Sequence, residues 1–234
     1  MIRNSLGAGV SAVILLLALA GHGMAANDAR NELARMGIAY TGNAFLDQIR
    51  NDKMPAVKLF LQAGMDANTR DNKSDWTALM LAAGAGNTEI TNLLITFGAD
   101  VNTKESRQGL TALMLAASWA HAETTIALVK AGADANVKYD DMCLGTALRA
   151  AAWNGHTAIV KALIGAGADV NDGTHDGWTA LKIASRNGYT EIVKLLIKAG
   201  ANVNFHVGLT ALQFATSHGH KEIVQALKDA GANE

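Results

Sequence analysis

A seven-residue phrase that returns at a nearly constant interval constrains this chain more than any other feature of its sequence. Thr-Ala-Leu-Met-Leu-Ala-Ala occupies 77–83 and recurs at 111–117. Varied copies begin at Thr146, Thr179 and Thr210, so successive copies start 34, 35, 33 and 31 residues apart. A period of about 33 residues predicts a stack of short structural repeats, in which each unit packs only on its neighbours.

A second phrase, of the form Gly-Ala-Asp-Val-Asn, keeps the same interval. Its copies lie at 64–68, 98–102, 132–136, 167–171 and 200–204. Together the two phrases resemble the ankyrin repeat, which implies two short helices per unit followed by an extended β-turn finger. We therefore predict an all-α ankyrin-repeat solenoid with β-turn fingers over 43–234. The predicted repeats are 43–74, 75–108, 109–143, 144–176, 177–207 and 208–234.

Each repeat carries the signals of two helices joined by a turn. The threonine caps the first helix, and the alanines after it let two helices approach closely. A glycine such as Gly86 forms the turn in most repeats, whereas the third repeat has Ala120 there. The second helix carries the main apolar stripe, which in the fifth repeat is Ile192, Leu195 and Leu196.

The first repeat and the segment before it depart from the pattern, as expected where a stack faces solvent. Asn43 stands where the other repeats have the capping threonine, and Pro55 falls at the start of the second helix, where its missing N–H costs nothing. Segment 26–42 is predicted to be an N-terminal capping helix that begins at Asn27 or Asp28. Its predicted apolar face is Ala29, Leu33 and Met36.

Residues 1–25 have the features of a secretory signal peptide. Arg3 gives a positive start, 10–20 is an apolar core, and small residues precede the expected cleavage site after Ala25, with Ala26 as the alternative. An uncleaved membrane anchor is the other interpretation, although the apolar run is shorter than the about 20 residues that a spanning helix needs. The sequence thus predicts a periplasmic or secreted protein without stable membrane insertion after cleavage.

Composition and motifs argue against an enzyme and against nucleic-acid binding. The net charge is −1, without the concentrated basic face that nucleic acid requires. Cys143 is the only cysteine, so no intramolecular disulfide is possible. The resemblance assigns His121, His156 and His220 to structural turns, and the other histidines show no metal-ligand spacing. No phosphate-binding loop or nucleophile elbow is present, so we expect neither catalysis nor a cofactor.

The resemblance also implies which positions face a partner. They are the residue before each threonine, the residue two after the alanine that follows it, and the pair before the turn; Tyr139 is added from the longest finger. Tryptophan and arginine are enriched among the residues that dominate binding energy. The predicted binding residues are Trp76, Met80, Met114, Trp119, Tyr139, Arg149, Trp153, Asn154, Trp178, Lys182 and Arg186.

Alternatives stay open for these positions. Each indole can instead pack over small residues of a neighbouring repeat. Arg149, Lys182 and Arg186 suggest a partner with an acidic patch, yet solvated charges on a helix face give the same pattern. The extra length of the third finger is either a binding loop or an insertion that the surface tolerates.

The predicted function is a non-catalytic protein–protein interaction scaffold that acts as a monomer in the periplasm or outside the cell. Rigid presentation of a concave groove and fingers would lose little ordering entropy on binding. Three versions stay open. The protein supports an envelope enzyme, as the resemblance to exported ankyrin proteins suggests, or it is an immunity or inhibitor protein against a periplasmic toxin or enzyme, or it is a secreted host-directed effector.

Overall fold

The computed structural model describes residues 24–139 and 145–233, which form thirteen α-helices and no β-strand. Helix α1 spans Ala26–Arg35, and the other helices form six consecutive pairs. The first helices are α2 (Gly42–Arg50), α4 (Ala78–Gly84), α6 (Ala112–Ser118), α8 (Ala147–Trp153), α10 (Ala180–Asn187) and α12 (Ala211–Ser217). The second helices are α3 (Met54–Gln62), α5 (Thr88–Thr96), α7 (Ala122–Lys130), α9 (Thr157–Gly165), α11 (Thr190–Lys198) and α13 (Lys221–Asp229). In these ranges no helix is long and apolar enough to cross a bilayer.

The helices stack in two layers, which confirms the predicted all-α solenoid. Each first helix packs on the next first helix, and each second helix packs on the next second helix. Helix α1 packs on α3 and so extends the second-helix layer by one member. Five fingers join consecutive pairs, and antiparallel bridges lie in the first and the fourth. The fingers are 63–77, 97–111, 131–146, 166–179 and 199–210.

Threonine caps the first helix of each pair. In α4 the Thr77 hydroxyl accepts a hydrogen bond from the N–H of Met80 at 3.2 Å, and the later first helices repeat this bond. In α2 the cap is Thr41, whose hydroxyl accepts from the N–H of Ala44 at 3.2 Å. The prediction that Asn43 caps this helix is therefore wrong. Thr41, two residues before Asn43, supplies the capping hydroxyl, so Asn43 lies inside the first turn of the helix.

Helix α1 also begins earlier than predicted. Its N-cap is Ala25, whose side chain makes no capping bond, so the prediction of Asn27 or Asp28 as the cap is wrong. Both residues already belong to the helix because its first backbone bonds are accepted by the carbonyl oxygen of Ala25. Two residues of the predicted apolar face, Ala29 and Leu33, are buried. The third, Met36, follows the last helical turn and is 48% exposed.

The hydrophobic core lies between the two layers. In α11 the buried residues are Ile192, Val193 and Leu196, so the predicted stripe is corrected at one position. Leu195 is only half-buried. A second helix contacts its own first helix and the second helices on both sides, and its buried face is correspondingly wide. Pro55 lies in the first turn of α3, as predicted.

The asparagine that ends each Gly-Ala-Asp-Val-Asn phrase ties its finger to the next repeat. The side-chain N–H of Asn102 donates to the carbonyl oxygen of Gly132 at 3.2 Å, and its Oδ1 accepts from the N–H of Asp134 at 2.8 Å. Equivalent pairs of bonds are made by Asn68, Asn136, Asn171 and Asn204. The fingers are thereby held in a continuous row along one side of the stack.

The turn inside each pair requires a residue with left-handed backbone conformation. Gly86 and Gly188 have φ values of +70° and +80°, and Ala120 adopts +67° in the third repeat. This conformation costs an alanine about 1–2 kcal/mol because its β-carbon crowds the carbonyl oxygen. His121, which follows Ala120, contacts the preceding repeat, since one of its ring nitrogens lies 3.0 Å from the carbonyl oxygen of Gly84.

Candidate protein-binding surface

The most exposed tryptophan side chain follows the first helix of the third repeat. Trp119 ends α6 and is 51% exposed. Its ring centroid lies 6.1 Å from that of Trp76, with the planes tilted by 47°. Trp119 also covers Gly84 in α4, where an added β-carbon would stand 2.7 Å from the indole. The second and third repeats thus form one aromatic surface, the Trp76–Trp119 pair, which packs against Gly84 and is open to solvent.

Trp153 and Asn154 link neighbouring repeats at the ends of the first helices. The side-chain N–H of Asn154 donates to the carbonyl oxygen of Ser118 at 3.1 Å, and that of Asn187 donates to the carbonyl oxygen of Trp153 at 3.1 Å. The Trp153 side chain is half-buried against the core. Both residues therefore support the stack, and their contact with a partner stays a prediction.

Met80 and Met114 were expected to face a partner, and this prediction is wrong. Their exposures are 1% and 2%, and both belong to the hydrophobic core. Each occupies the third position of a first helix. A flexible, apolar methionine placed there packs into the core instead of projecting into solvent.

Arg149 is also buried, and its charge is balanced inside the protein. Its guanidinium pairs with the carboxylate of Asp172 in the fourth finger, and the same carboxylate pairs with Lys138 in the third. The side chains of Arg149 and Asp172 are 5% and 7% exposed. The prediction that Arg149 adds positive charge to an open groove is wrong, because its ion pair faces inward.

A second aromatic surface lies on the fifth and sixth repeats. Trp178 stacks on Phe214 with centroids 5.0 Å apart, and the Arg186 guanidinium lies 5.4 Å from the Trp178 centroid. Lys182 is 2% exposed, and its ammonium donates to the carbonyl oxygen of Val207 at 2.5 Å. Burial lowers the pKa of Lys182 below its ordinary value of 10.5. Lys182 is therefore not the open surface cation that was predicted, whereas Trp178 and Arg186 are partly exposed.

Two exposed apolar residues are absent from the predicted set. Val207 and Leu209, in the fifth finger, are 44% and 53% exposed and lie beside the Trp178–Phe214 stack. Leu209 precedes a capping threonine, as Trp76 and Trp178 do. The position before a capping threonine is the sequence signal that could have identified Leu209. No comparable sequence signal points to Val207.

The third finger is described only in part. Tyr139 is half-buried, and its backbone N–H donates to the carbonyl oxygen of Gly145 at 2.9 Å. The rest of the finger's predicted binding loop, with Asp140, Asp141 and Met142, lies outside the described residues, as does Cys143. The role of this finger in binding stays a prediction.

Two of the three turn histidines, His121 and His220, have the structural contacts that the resemblance implies. A ring nitrogen of His220 lies 3.0 Å from the carbonyl oxygen of Arg186, which matches the contact that His121 makes with Gly84. Within 24–139 and 145–233, no three His, Cys, Asp or Glu side chains are grouped so that they could hold a metal ion.

Stacked helical pairs with a row of fingers and half-exposed aromatic side chains define a repeat protein of the kind that presents a rigid surface. The family model described as ankyrin repeats (3 copies) matches 46–139 and 146–234, so the chain belongs to the ankyrin repeat family. It is similar to the crystal structure of an ankyrin repeat domain from Acinetobacter baumannii AYE. The two are 37% identical with a TM-score of 0.73, and the match covers 81% of this chain and 98% of that one. No curated protein matches the sequence. Ankyrin repeats imply a protein–protein interaction scaffold.

Proposed function

We propose that this ankyrin repeat protein is a non-catalytic scaffold that binds a partner protein outside the cytoplasm. The binding surface comprises the fingers and the exposed ends of the first helices, with the Trp76–Trp119 pair as its main anchor. The observation that carries the proposal is the 51% exposure of Trp119 on a support formed by two repeats.

The energetic argument rests on the size of the indole. A tryptophan side chain offers about 150–250 Å² of surface, so covering its exposed half contributes about 2–3 kcal/mol at the usual value per unit of apolar area. The ring contacts both Trp76 and Gly84, which limits the side-chain entropy lost on binding. Tryptophan residues with these properties are typical of binding hot spots.

The second-helix layer supplies a contrast. Ile126 in α7 is 37% exposed, but it is a single apolar residue of a kind that is normal on protein surfaces. Trp119 differs because an aromatic neighbour enlarges its apolar surface. The larger exposed apolar surface at Trp119 than at Ile126 favours the finger side of the stack as the binding side.

Export is supported by the features of 1–25 and by the exposure of the chain around the expected cleavage site. All residues from 24 to 28 are exposed. Cleavage after Ala25 or Ala26 therefore removes no buried side chain of the described fold.

Capture of a partner tests the scaffold function. Purified wild type, Trp119→Ala and Ile126→Ala are immobilised and exposed to an extract of the source organism's cell envelope. A protein retained by wild type and by Ile126→Ala, but lost by Trp119→Ala, is the expected result. Retention by all three places the binding site away from Trp119, and specific capture by none argues against a scaffold.

Export is tested separately by expressing the full chain in a bacterium and fractionating the cells. Mass spectrometry of the intact protein is expected to show a periplasmic or secreted form that begins at Ala26 or Asn27. A chain that keeps residues 1–25 and stays in the cytoplasm would contradict this part of the proposal.

A further inference from the structure

A narrow cleft opens between the fourth finger (166–179) and the fifth finger (199–210). Its volume is about 140 Å³. The fingers touch at its base, where a β-carbon added to Gly177 would stand 2.5 Å from the carbonyl oxygen of Val207. Pockets for small-molecule ligands usually measure about 300–1,000 Å³, so this cleft has the size for one or two side chains of a peptide segment.

The walls of the cleft are apolar. The stacked rings of Trp178 and Phe214 line it, together with the exposed residues Val207 and Leu209. These four side chains offer an apolar ligand a surface that already exists without rearrangement. Apolar walls around a few placed polar groups are the usual construction of a specific site.

Lys182 lines the same cleft and supplies a positive charge. The side chain is 2% exposed, and the carbonyl oxygen of Val207 accepts one of its three N–H donors. Burial is the cause of its lowered pKa. Asp176 lines the same cleft, and its carboxylate accepts a hydrogen bond from the Thr174 hydroxyl. Among residues 24–139 and 145–233 the ammonium forms no ion pair; it lies 5.0 Å from the centroid of the Phe205 ring and keeps N–H donors for a ligand.

Arg186 adds a second positive charge next to the aromatic wall. Its guanidinium lies 5.4 Å from the centroid of Trp178. Arg186 thus lies against the indole of Trp178, and the Lys182 ammonium lies against the ring of Phe205. The ligand that complements this arrangement has a carboxylate for the ammonium and an apolar group for the rings.

We propose that the cleft binds an acidic residue of the partner protein together with an apolar residue next to it in the chain. The carboxylate accepts hydrogen bonds from the Lys182 ammonium, and the apolar side chain lies against Trp178 and Leu209. This inference rests on the protein-binding function proposed above and adds the chemistry of the segment that is recognised.

The experiment uses the isolated protein and a pair of small probes, 4-phenylbutyrate and its neutral analogue 4-phenylbutanamide. Both are titrated into ¹⁵N-labelled protein at pH 7, and the Trp178 indole signal is assigned with Trp178→Phe. We expect the carboxylate to shift this signal and the backbone signals of the fifth finger, with a dissociation constant about tenfold lower than that of the amide. Millimolar affinity is expected for ligands of this size.

Two variants locate the interaction. Lys182→Met is expected to remove the preference for the carboxylate while leaving binding of the amide unchanged. Leu209→Ser alters an exposed side chain and is expected to weaken both probes without unfolding the protein. Equal binding of the two probes to wild type, a carboxylate preference that survives in Lys182→Met, or no shift at millimolar concentration would each overturn the proposal.

The probe titration and the capture experiment can give independent outcomes. If 4-phenylbutyrate binds as expected but no partner is captured, the cleft stands and the scaffold function does not. If a partner is captured through Trp119 and neither probe binds, the scaffold function stands and the cleft is not an acidic-residue site. A captured partner that binds Lys182→Met as tightly as wild type also counts against the cleft.

Discussion

Arg149 and Asp172 form an ion pair in the interior of the stack, where their side chains are 5% and 7% exposed. The pair joins α8 to the fourth finger. The same carboxylate pairs with Lys138, whose side chain is 67% exposed. One acid therefore has a buried partner and an exposed partner, and the two interactions can be compared directly.

Asp172→Asn is expected to lower the free energy of unfolding by about 3–5 kcal/mol, because it leaves the Arg149 charge buried and uncompensated. Lys138→Met removes the exposed partner of the same carboxylate and is expected to cost at most about 1 kcal/mol. Urea denaturation of both variants measures the two losses. If the two variants lose similar free energies of unfolding, the buried Arg149–Asp172 pair does not stabilise the fold more than the exposed Lys138–Asp172 pair.

The asparagine row gives a prediction about coupling between repeats. Asn102→Ala removes two hydrogen bonds to the next repeat and is expected to lower the free energy of unfolding by about 1–2 kcal/mol. Asn92→Ala, at an exposed position of α5, is the matched control and is expected to change it by less than about 0.5 kcal/mol. If the two variants melt alike, the bonds of Asn102 do not hold the repeats together.

The elements of this fold follow from local signals and were therefore predictable. A threonine cap, small residues and a positive-φ turn each act within a few residues, so the phrases identify the helix pairs without knowledge of their neighbours. The error at Asn43 has the same origin. Alignment with the later repeats placed the cap there, whereas the hydroxyl of Thr41, two residues earlier, makes the capping bond.

The candidate site was harder to predict because exposure depends on neighbouring repeats. Trp119 and Lys182 were assigned to the same partner-facing surface, yet one is 51% exposed and the other 2%. Lys182 is covered by the fifth finger, whose carbonyl oxygen at Val207 accepts from its ammonium. Such coverage is set by the length and conformation of a finger more than 20 residues away, which a periodic pattern does not encode.

The strained turn of the third repeat predicts a stabilising substitution. Ala120→Gly is expected to raise the free energy of unfolding by about 0.5–1 kcal/mol, since relief of the left-handed strain exceeds the added entropy of the unfolded chain. The same change at exposed Ala158 in α9 is the control and is expected to lower it by about 1 kcal/mol. A loss of stability in both variants would mean that Ala120 is not strained.

The buried ammonium of Lys182 predicts a dependence of stability on pH. Burial lowers the pKa of this group in the folded protein below 10.5, so above that lowered pKa the unfolded chain binds more protons than the folded one. The free energy of unfolding of wild type should therefore rise relative to that of Lys182→Met as the pH increases from neutrality toward 10.5. At neutral pH the variant is expected to be at least as stable as wild type, because an ammonium without an anionic partner is costly to bury.

Urea denaturation of wild type and Lys182→Met at several pH values measures this difference, and other titrating groups cancel in the comparison. Lys161→Met, which removes an exposed ammonium from α9, is the matched control and is expected to show a smaller change. A difference between wild type and Lys182→Met that stays constant up to pH 10.5 would mean that the Lys182 ammonium is well solvated in the folded protein, and a difference that moves in favour of the variant would mean that a nearby acceptor or anion stabilises its charge. In the first case the cleft would lack the desolvated charge that its recognition of a carboxylate requires.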